Sequence, residues 1–549
     1  MRSLRLAALI MAASLPLSLI SCSLRNDDKK DKTSKKEKTS SADESSEKTT
    51  SKKSDNDSPA SDLTDIDLDT VRGHVEDLLS DIKEEDSSDA ISEDIDILLS
   101  DLDELYTASA RSSIDYYYHF DDEKYEDIYD MYDEELYVSY ALIQFAFTKG
   151  YLSDEYSDMF EKYITDEEMP DYYGEPGMTL RRCEGYAKVD HDLLDEYLDD
   201  YFDIVYSDEY SDDEKDLLCA EIYLDILASY DTDTFYEQFN RDYSPDEICD
   251  ITDHIKNEFI PVSDKLLEHF FDIKNSDDIL SDPVKVDDYF AAIEEYVSKI
   301  SPDAGKAAHD IQQNKLYTIA SGDSSFTGSF TTDLPATDEA YIYIYDDDSY
   351  LGFLTAIHEF GHYYASSYDH TIAYFNDPNL DIAEVQSQGL SILFTQFYDD
   401  IYGEQAEGMK TITVFELVDS VISGFIIGEY EYSVLCGKDT LSPEDVVDLF
   451  YESMEDYDNG LHFYEITHLF EMPGYYISYG VSALAALDLL GDTLNDPEKA
   501  AERYEKIARV PSSSNEYQFR KALAQCGFHD VLSKDYISNL AAEIEKYAE

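Results

Sequence analysis

Long stretches of this chain run without a proline, and this constrains its fold more than any other feature. Segments 67–105 and 134–163 carry apolar residues at a spacing of three to four, the period of one helix face. In 549 residues there are 14 prolines and 21 glycines, too few turn signals for a protein built of many short strands. The expectation is a mainly α-helical protein, long enough to bury a large core. No repeat of fixed period is visible.

Helical placement gives meaning to His358, Glu359, Phe360, Gly361 and His362. Two histidines four residues apart leave a helix on the same face, about one turn of 3.6 residues from each other. Two neutral imidazoles so placed bind one Zn²⁺, and the glutamate between them is positioned to take a proton from water. A catalytic zinc site needs a third protein ligand. Glu384 is the candidate, on a second expected helix that has Asp377 and Pro378 as a start signal and Ile382, Val385 and Leu393 near helical spacing. His370 and Asp381 compete for the same role. A third constellation contains His468, Pro473, Gly474, Tyr475 and Tyr479. Peptide hydrolysis passes through a tetrahedral oxyanion that hydrogen-bond donors stabilise. A turn at 473–474 is suited to aiming such donors. In a chain with 48 tyrosines, a Tyr-rich stretch taken alone is more simply packing.

Taken together, 358–362, 383–387 and His468 with 473–479 resemble the three motifs of the M3 family of zinc peptidases, which includes thimet oligopeptidase and oligoendopeptidase F. The oligoendopeptidase F branch is the more similar. Segments 327–332 and 340–345 resemble the part of that family that precedes its zinc helix, and the likeness covers residues 250–549. It implies a large helical zincin with a small β-sheet beside the zinc helix and a deep substrate channel. It also implies one Zn²⁺ per chain on His358, His362 and Glu384, with Glu359 as general base. His468 and Tyr479, with Tyr475, would assist the transition state. Oligopeptides would be the substrates. Two rivals are a degenerate peptide-binding lipoprotein and a zinc carboxypeptidase on a related helical fold. Ala365 and Gly474 depart from the pattern, where many members carry a histidine and an aromatic residue; both bear on substrate fit more than on metal binding. Segment 340–345 alternates, with Tyr341, Tyr343 and Tyr345 opposite Ile342 and Ile344. As an edge strand it would pair with an extended peptide.

The amino terminus carries an address. Arg2 and Arg5 precede an apolar run over 6–20 that ends in Leu19, Ile20, Ser21 and Cys22. That run is too short for a comfortable membrane span and matches a secretory signal. Its end resembles a bacterial lipobox, which implies cleavage before Cys22, lipid on that cysteine and an extracytoplasmic protein anchored to the membrane. Residues 23–62 are almost wholly polar and read as a solvated tether. The expected organisation is therefore a signal over 1–22, a tether over 23–62, an amino-terminal helical region over 63–249 and a catalytic region over 250–549. No later segment reads as transmembrane; the best candidate, 414–435, is interrupted by Glu416, Asp419, Glu429 and Glu431. The net charge of −84 lies almost entirely beyond the tether. It excludes nucleic acid as a partner and chiefly serves solubility, although it would also draw cationic peptides. Cys183, Cys219, Cys249, Cys436 and Cys526 are widely scattered and read as mostly buried thiols. Cys22→Ser is expected to abolish processing and lipid attachment; incorporation of a labelled lipid precursor by that variant would exclude the lipobox.

Overall fold

The computed structural model of the chain describes residues 64–548 apart from 65, 121, 165–168, 208, 275, 323, 372–378 and 458–459. Cys22, the tether and the pair Asp377 and Pro378 lie outside the described residues. Within them the protein is a large helical body with one three-stranded sheet, as expected.

Helices α1 (Leu68–Glu84), α2 (Ser88–Tyr118) and α3 (Glu123–Tyr151) begin on side-chain caps from Asp67, Ser87 and Asp122, each filling a backbone donor that the first turn leaves open. With α4 (Leu180–Val205) they enclose a first apolar core. A second, larger core runs from Ala110 to Ile544. Helix α2 belongs to both: Ile91 to Ala108 face the first core, and Ala110 to Tyr117 the second. Helix α5 (Asp212–Leu227) is followed by α6 (Pro245–Asp272), which has Ser244 and Glu247 in a capping box. Helix α6 passes unbroken across 249/250, where the sequence divides the two regions.

Strand β3 (Glu339–Tyr345) pairs in parallel with β1 (Tyr317–Ala320) and antiparallel with β2 (Phe330–Leu334). It is therefore the middle strand. The edge position expected for 340–345 is overturned because both flanks of the strand are paired and both its faces are buried. Strand β2 holds an edge instead. The sheet is tied to α2 by the Tyr343 hydroxyl, which donates to the Tyr117 carbonyl at 3.0 Å.

Beyond the sheet come α7 (Leu351–Ser366), α8 (Leu380–Phe394), α9 (Ala406–Gly437) and α10 (Ile477–Leu487). By length and composition, Leu380–Gly437 and Ile477–Asn495 could cross a membrane, yet 89% and 83% of their most apolar windows are buried inside the protein. A helix apolar on all sides is a core helix when other helices surround it, and α6, α8 and α10 pack on α9. Of the free cysteines, Cys183, Cys219 and Cys526 are buried, Cys249 is half-buried and Cys436 is exposed.

Two glycines set how closely these helices approach. A Cβ on Gly424 of α9 would lie 2.6 Å from the backbone nitrogen of Gly480 on α10. A Cβ on Gly361 of α7 would lie 2.6 Å from the Cα of Ser387 on α8. Backbone cannot swing aside as a side chain can. Gly424→Ala gains roughly 1 kcal/mol in helix propensity but forces overpacking that typically costs about 1–3 kcal/mol. A net fall in Tm is expected in thermal unfolding, and an unchanged or raised Tm would contradict this packing.

Candidate metal centre

His358 and His362 leave α7 on one face, with ring centroids 5.0 Å apart. Glu384 faces them from α8, which crosses at the Gly361 contact. Its Oε2 lies 3.6 Å from His358 Nε2 and 3.9 Å from His362 Nε2. One donor atom from each of the three residues falls within 4.8 Å of the others. Burial, reinforced by His362, pushes the His358 imidazole well below its usual range, and burial lowers His362 to about 4. Both rings are therefore neutral near pH 7, and their contacts with Glu384 are not ion pairs. Two neutral imidazoles and a carboxylate converging on one point are the donor set that a tetrahedral zinc site requires. The residues fit the metal. Among the described residues they form the one group of three histidine, cysteine or acidic side chains so arranged.

The Glu384 carboxylate is itself held. Tyr475 donates its hydroxyl to Glu384 Oε1 at 2.8 Å, and the Ser387 hydroxyl donates to Oε2 at 3.2 Å. Burial raises Glu384 to about 7, and these two hydrogen bonds oppose the shift. Outer partners of this kind orient metal ligands. Glu359 is 3% exposed. Its Oε2 accepts from the Thr331 hydroxyl at 2.8 Å, which aims the carboxylate from β2. Burial raises Glu359 to about 8, against the Thr331 hydrogen bond and with a contribution from Glu384.

His468 and Tyr479 are also brought together, His468 Nε2 lying 2.8 Å from the Tyr479 hydroxyl. Gly474 sits at φ +88°, in the region that favours glycine, and its N–H donates to Glu431 at 2.8 Å. A Cβ at Gly474 would also press on Phe235 at 3.0 Å. An aromatic side chain there would be strained, which accounts for that departure in the sequence.

Of the competing ligands, His370 is 64% exposed and lies 3.0 Å from Asp338. Asp381 is fully buried but faces Arg241. The Arg241 guanidinium meets both Asp381 oxygens at 3.2–3.3 Å, donates to Ser478 Oγ and to the Gly474 carbonyl at 2.8 Å each, and lies 4.4 and 4.3 Å from the rings of Tyr236 and Phe239. Tyr243 and Ser478 donate to Asp381 at 2.7 and 2.6 Å. Sequence reasoning missed Arg241 and the positioning role of Thr331. The available signal was an arginine set among Tyr236, Phe239 and Tyr243.

No protein-family model matches the sequence, and no curated protein matches it. Solved structures do. PZ peptidase A, solved with an inhibitor, superposes with a TM-score of 0.69 at 12% identity, over 89% of this chain and 98% of its own. An oligoendopeptidase F assigned in Bacillus anthracis gives 0.66 at 12%, over 89% and 97%. Another protein assigned as oligoendopeptidase F gives 0.65 at 14%, over 89% and 98%. The chain has the fold of these large helical peptidases.

His358→Ala, His362→Ala and Glu384→Ala are each expected to lose stoichiometric zinc in metal analysis, whereas His370→Ala retains it. Arg241→Met strips Asp381 of its counter-charge, and breaking a buried pair in this way costs about 3–5 kcal/mol. Denaturant unfolding reads that loss directly; a change under 1 kcal/mol would remove the pair from its structural role.

Proposed function

We propose that this protein is a zinc-dependent peptidase that hydrolyses oligopeptides, acting as an endopeptidase outside the cytoplasm from a lipid anchor at Cys22. The observation that carries the proposal is Glu359. A general base is aimed by Thr331 and adjoins three convergent donors, which a site built only to bind peptides does not need. The likeness to PZ peptidase A and to proteins assigned as oligoendopeptidase F supports it.

His358, His362 and Glu384 would hold the ion. When bound, zinc supplies Lewis acidity, lowering the pKa of water and polarising a peptide carbonyl. Glu359 takes the proton of the attacking water at its carboxylate and passes it to the departing amine. The Thr331 hydrogen bond keeps that carboxylate from rotating away. His468 and Tyr479 supply donors where negative charge grows on the carbonyl oxygen, and their mutual hydrogen bond pre-sets their direction. Tyr475 acts through Glu384 as a positioning residue. Strand β2 lies next to the base and offers an edge along which an extended peptide can pair.

Glu359→Gln retains size and hydrogen-bonding reach but cannot accept the proton. It is expected to keep zinc and peptide binding while turnover collapses; ordinary turnover would rule the mechanism out. Tyr479→Phe is expected to lower kcat by about 10²–10³ with a small change in KM, the usual cost of one oxyanion donor. Peptides blocked at both ends separate the endopeptidase from a carboxypeptidase. Zinc-loaded wild type that binds but cleaves nothing in a broad peptide library would identify a degenerate binder.

A further inference from the structure

A small cavity of about 80 Å³ adjoins the metal centre and shares His358 and Tyr479 with it. Its apolar wall includes Leu354, Ile357 and Leu417, and its acidic side is made by Glu416 and Asp419 of α9. These two are three residues apart and so share a helix face. Asp419 is 5% exposed and accepts from the Tyr457 hydroxyl at 2.7 Å. Glu416 Oε1 is shut off from solvent and has no hydrogen-bond partner among the described residues. None of the residues lining the cavity is a lysine or an arginine. Burial raises Glu416 to about 8 and Asp419 to about 6, each carboxylate lacking a cation to offset the loss of water.

A buried carboxylate without a partner is costly, and natural proteins pair such groups. Among the described residues that line the cavity none supplies a cation, although the cavity adjoins the residues proposed to carry the chemistry. We propose that this cavity accepts the cationic side chain of a lysine or arginine next to the scissile bond, with Glu416 and Asp419 as its counter-charges. The assignment rests on the peptide hydrolysis proposed above. The aliphatic stem of such a side chain runs along Leu354, Ile357 and Leu417, and its charged head reaches the carboxylates. The net charge of −84 raises the local concentration of cationic peptides, but salt screens that field beyond about 10 Å at 0.1 M. Discrimination between two peptides of equal charge must therefore come from the local pair.

The test uses the full-length zinc-loaded protein and peptides blocked at both ends. Lysine, arginine, norleucine or citrulline is placed in turn at each position around the cleaved bond, total charge being kept constant elsewhere. At one position flanking the bond, kcat/KM is expected to favour lysine or arginine over its neutral analogue by about tenfold or more. Glu416→Gln and Asp419→Asn are each expected to reduce that ratio severalfold, and a ratio cancels any general loss of active enzyme. Equal rates for charged and neutral analogues at every position would overturn the pocket assignment and leave peptide hydrolysis standing. So would a preference that appears only in a parallel set of peptides with free amino termini, which would mean that the site takes an α-ammonium group. If no peptide is cleaved, peptide hydrolysis fails. Calorimetry with butylammonium against butanol then decides the pocket: binding of the cation alone, lost in Glu416→Gln, supports it, and no binding removes it. Should Glu416→Gln not fold, the wild-type ratio and Asp419→Asn carry the same decision.

Discussion

Arg241 and Asp381 form an ion pair with no side-chain exposure on either partner, and three parts of the candidate site are tied to it. Asp381 stands in the first turn of α8, three residues before Glu384, so its bonds set the rotation of the helix that presents Glu384 to the two histidines. Gly474 and Ser478, which also bind Arg241, flank Tyr475 and precede Tyr479. The rings of Tyr236 and Phe239 enclose the guanidinium and bring in the segment between α5 and α6. Desolvating two ions costs several kcal/mol each, and their attraction seldom returns more than that. What the pair contributes is geometry: each Asp381 oxygen accepts a hydroxyl besides the guanidinium, and Arg241 also reaches Gly474 and Ser478.

Close helix contact does the rest. Packed helices usually keep their axes 8–10 Å apart, and side chains at the crossing set where in that range they fall. Gly361 removes the side chain from α7 where α8 crosses, so Ser387 and with it Glu384 come up to the two histidines. The Gly424 and Gly480 crossing similarly seats α10 on α9, carrying Tyr479 toward His468. The sheet closes the other side, with Thr331 on β2 reaching Glu359. Because these contacts involve backbone, the donor distances are held by elements that cannot relax by changing a rotamer.

Much of this was legible in the chain. Apolar spacing and scarce prolines predict the helices, and the spacing of His358 and His362 predicts their shared face. Glu384, His468, Tyr475 and Tyr479 fall beside them as the motif resemblance implies. The strand at 340–345 was legible, but its place in the sheet was not. Alternation records which face a residue points to; it does not record whether each flank has a neighbour. Glu416, Asp419 and Glu431 were visible only as interruptions of an apolar run. Folded, the first two line a cavity and the third holds Gly474.

Local chemistry is written along one dimension, and the sequence by itself determined what depends on it: helix content, His358 and His362 on one turn, the acidic balance and the polar amino-terminal segment. Tertiary structure decided which carboxylate plays which part. Asp381 and Glu384 lie three residues apart on one helix, and helical spacing alone does not separate them; the resemblance at 383–387 points to Glu384. Arg241, 140 positions from Asp381 in the chain, pairs with Asp381, while Glu384 faces the two histidines. The Arg241 partnership has no local signature, because a charge partner acts through distance in space, and that distance exists only once the helices have packed.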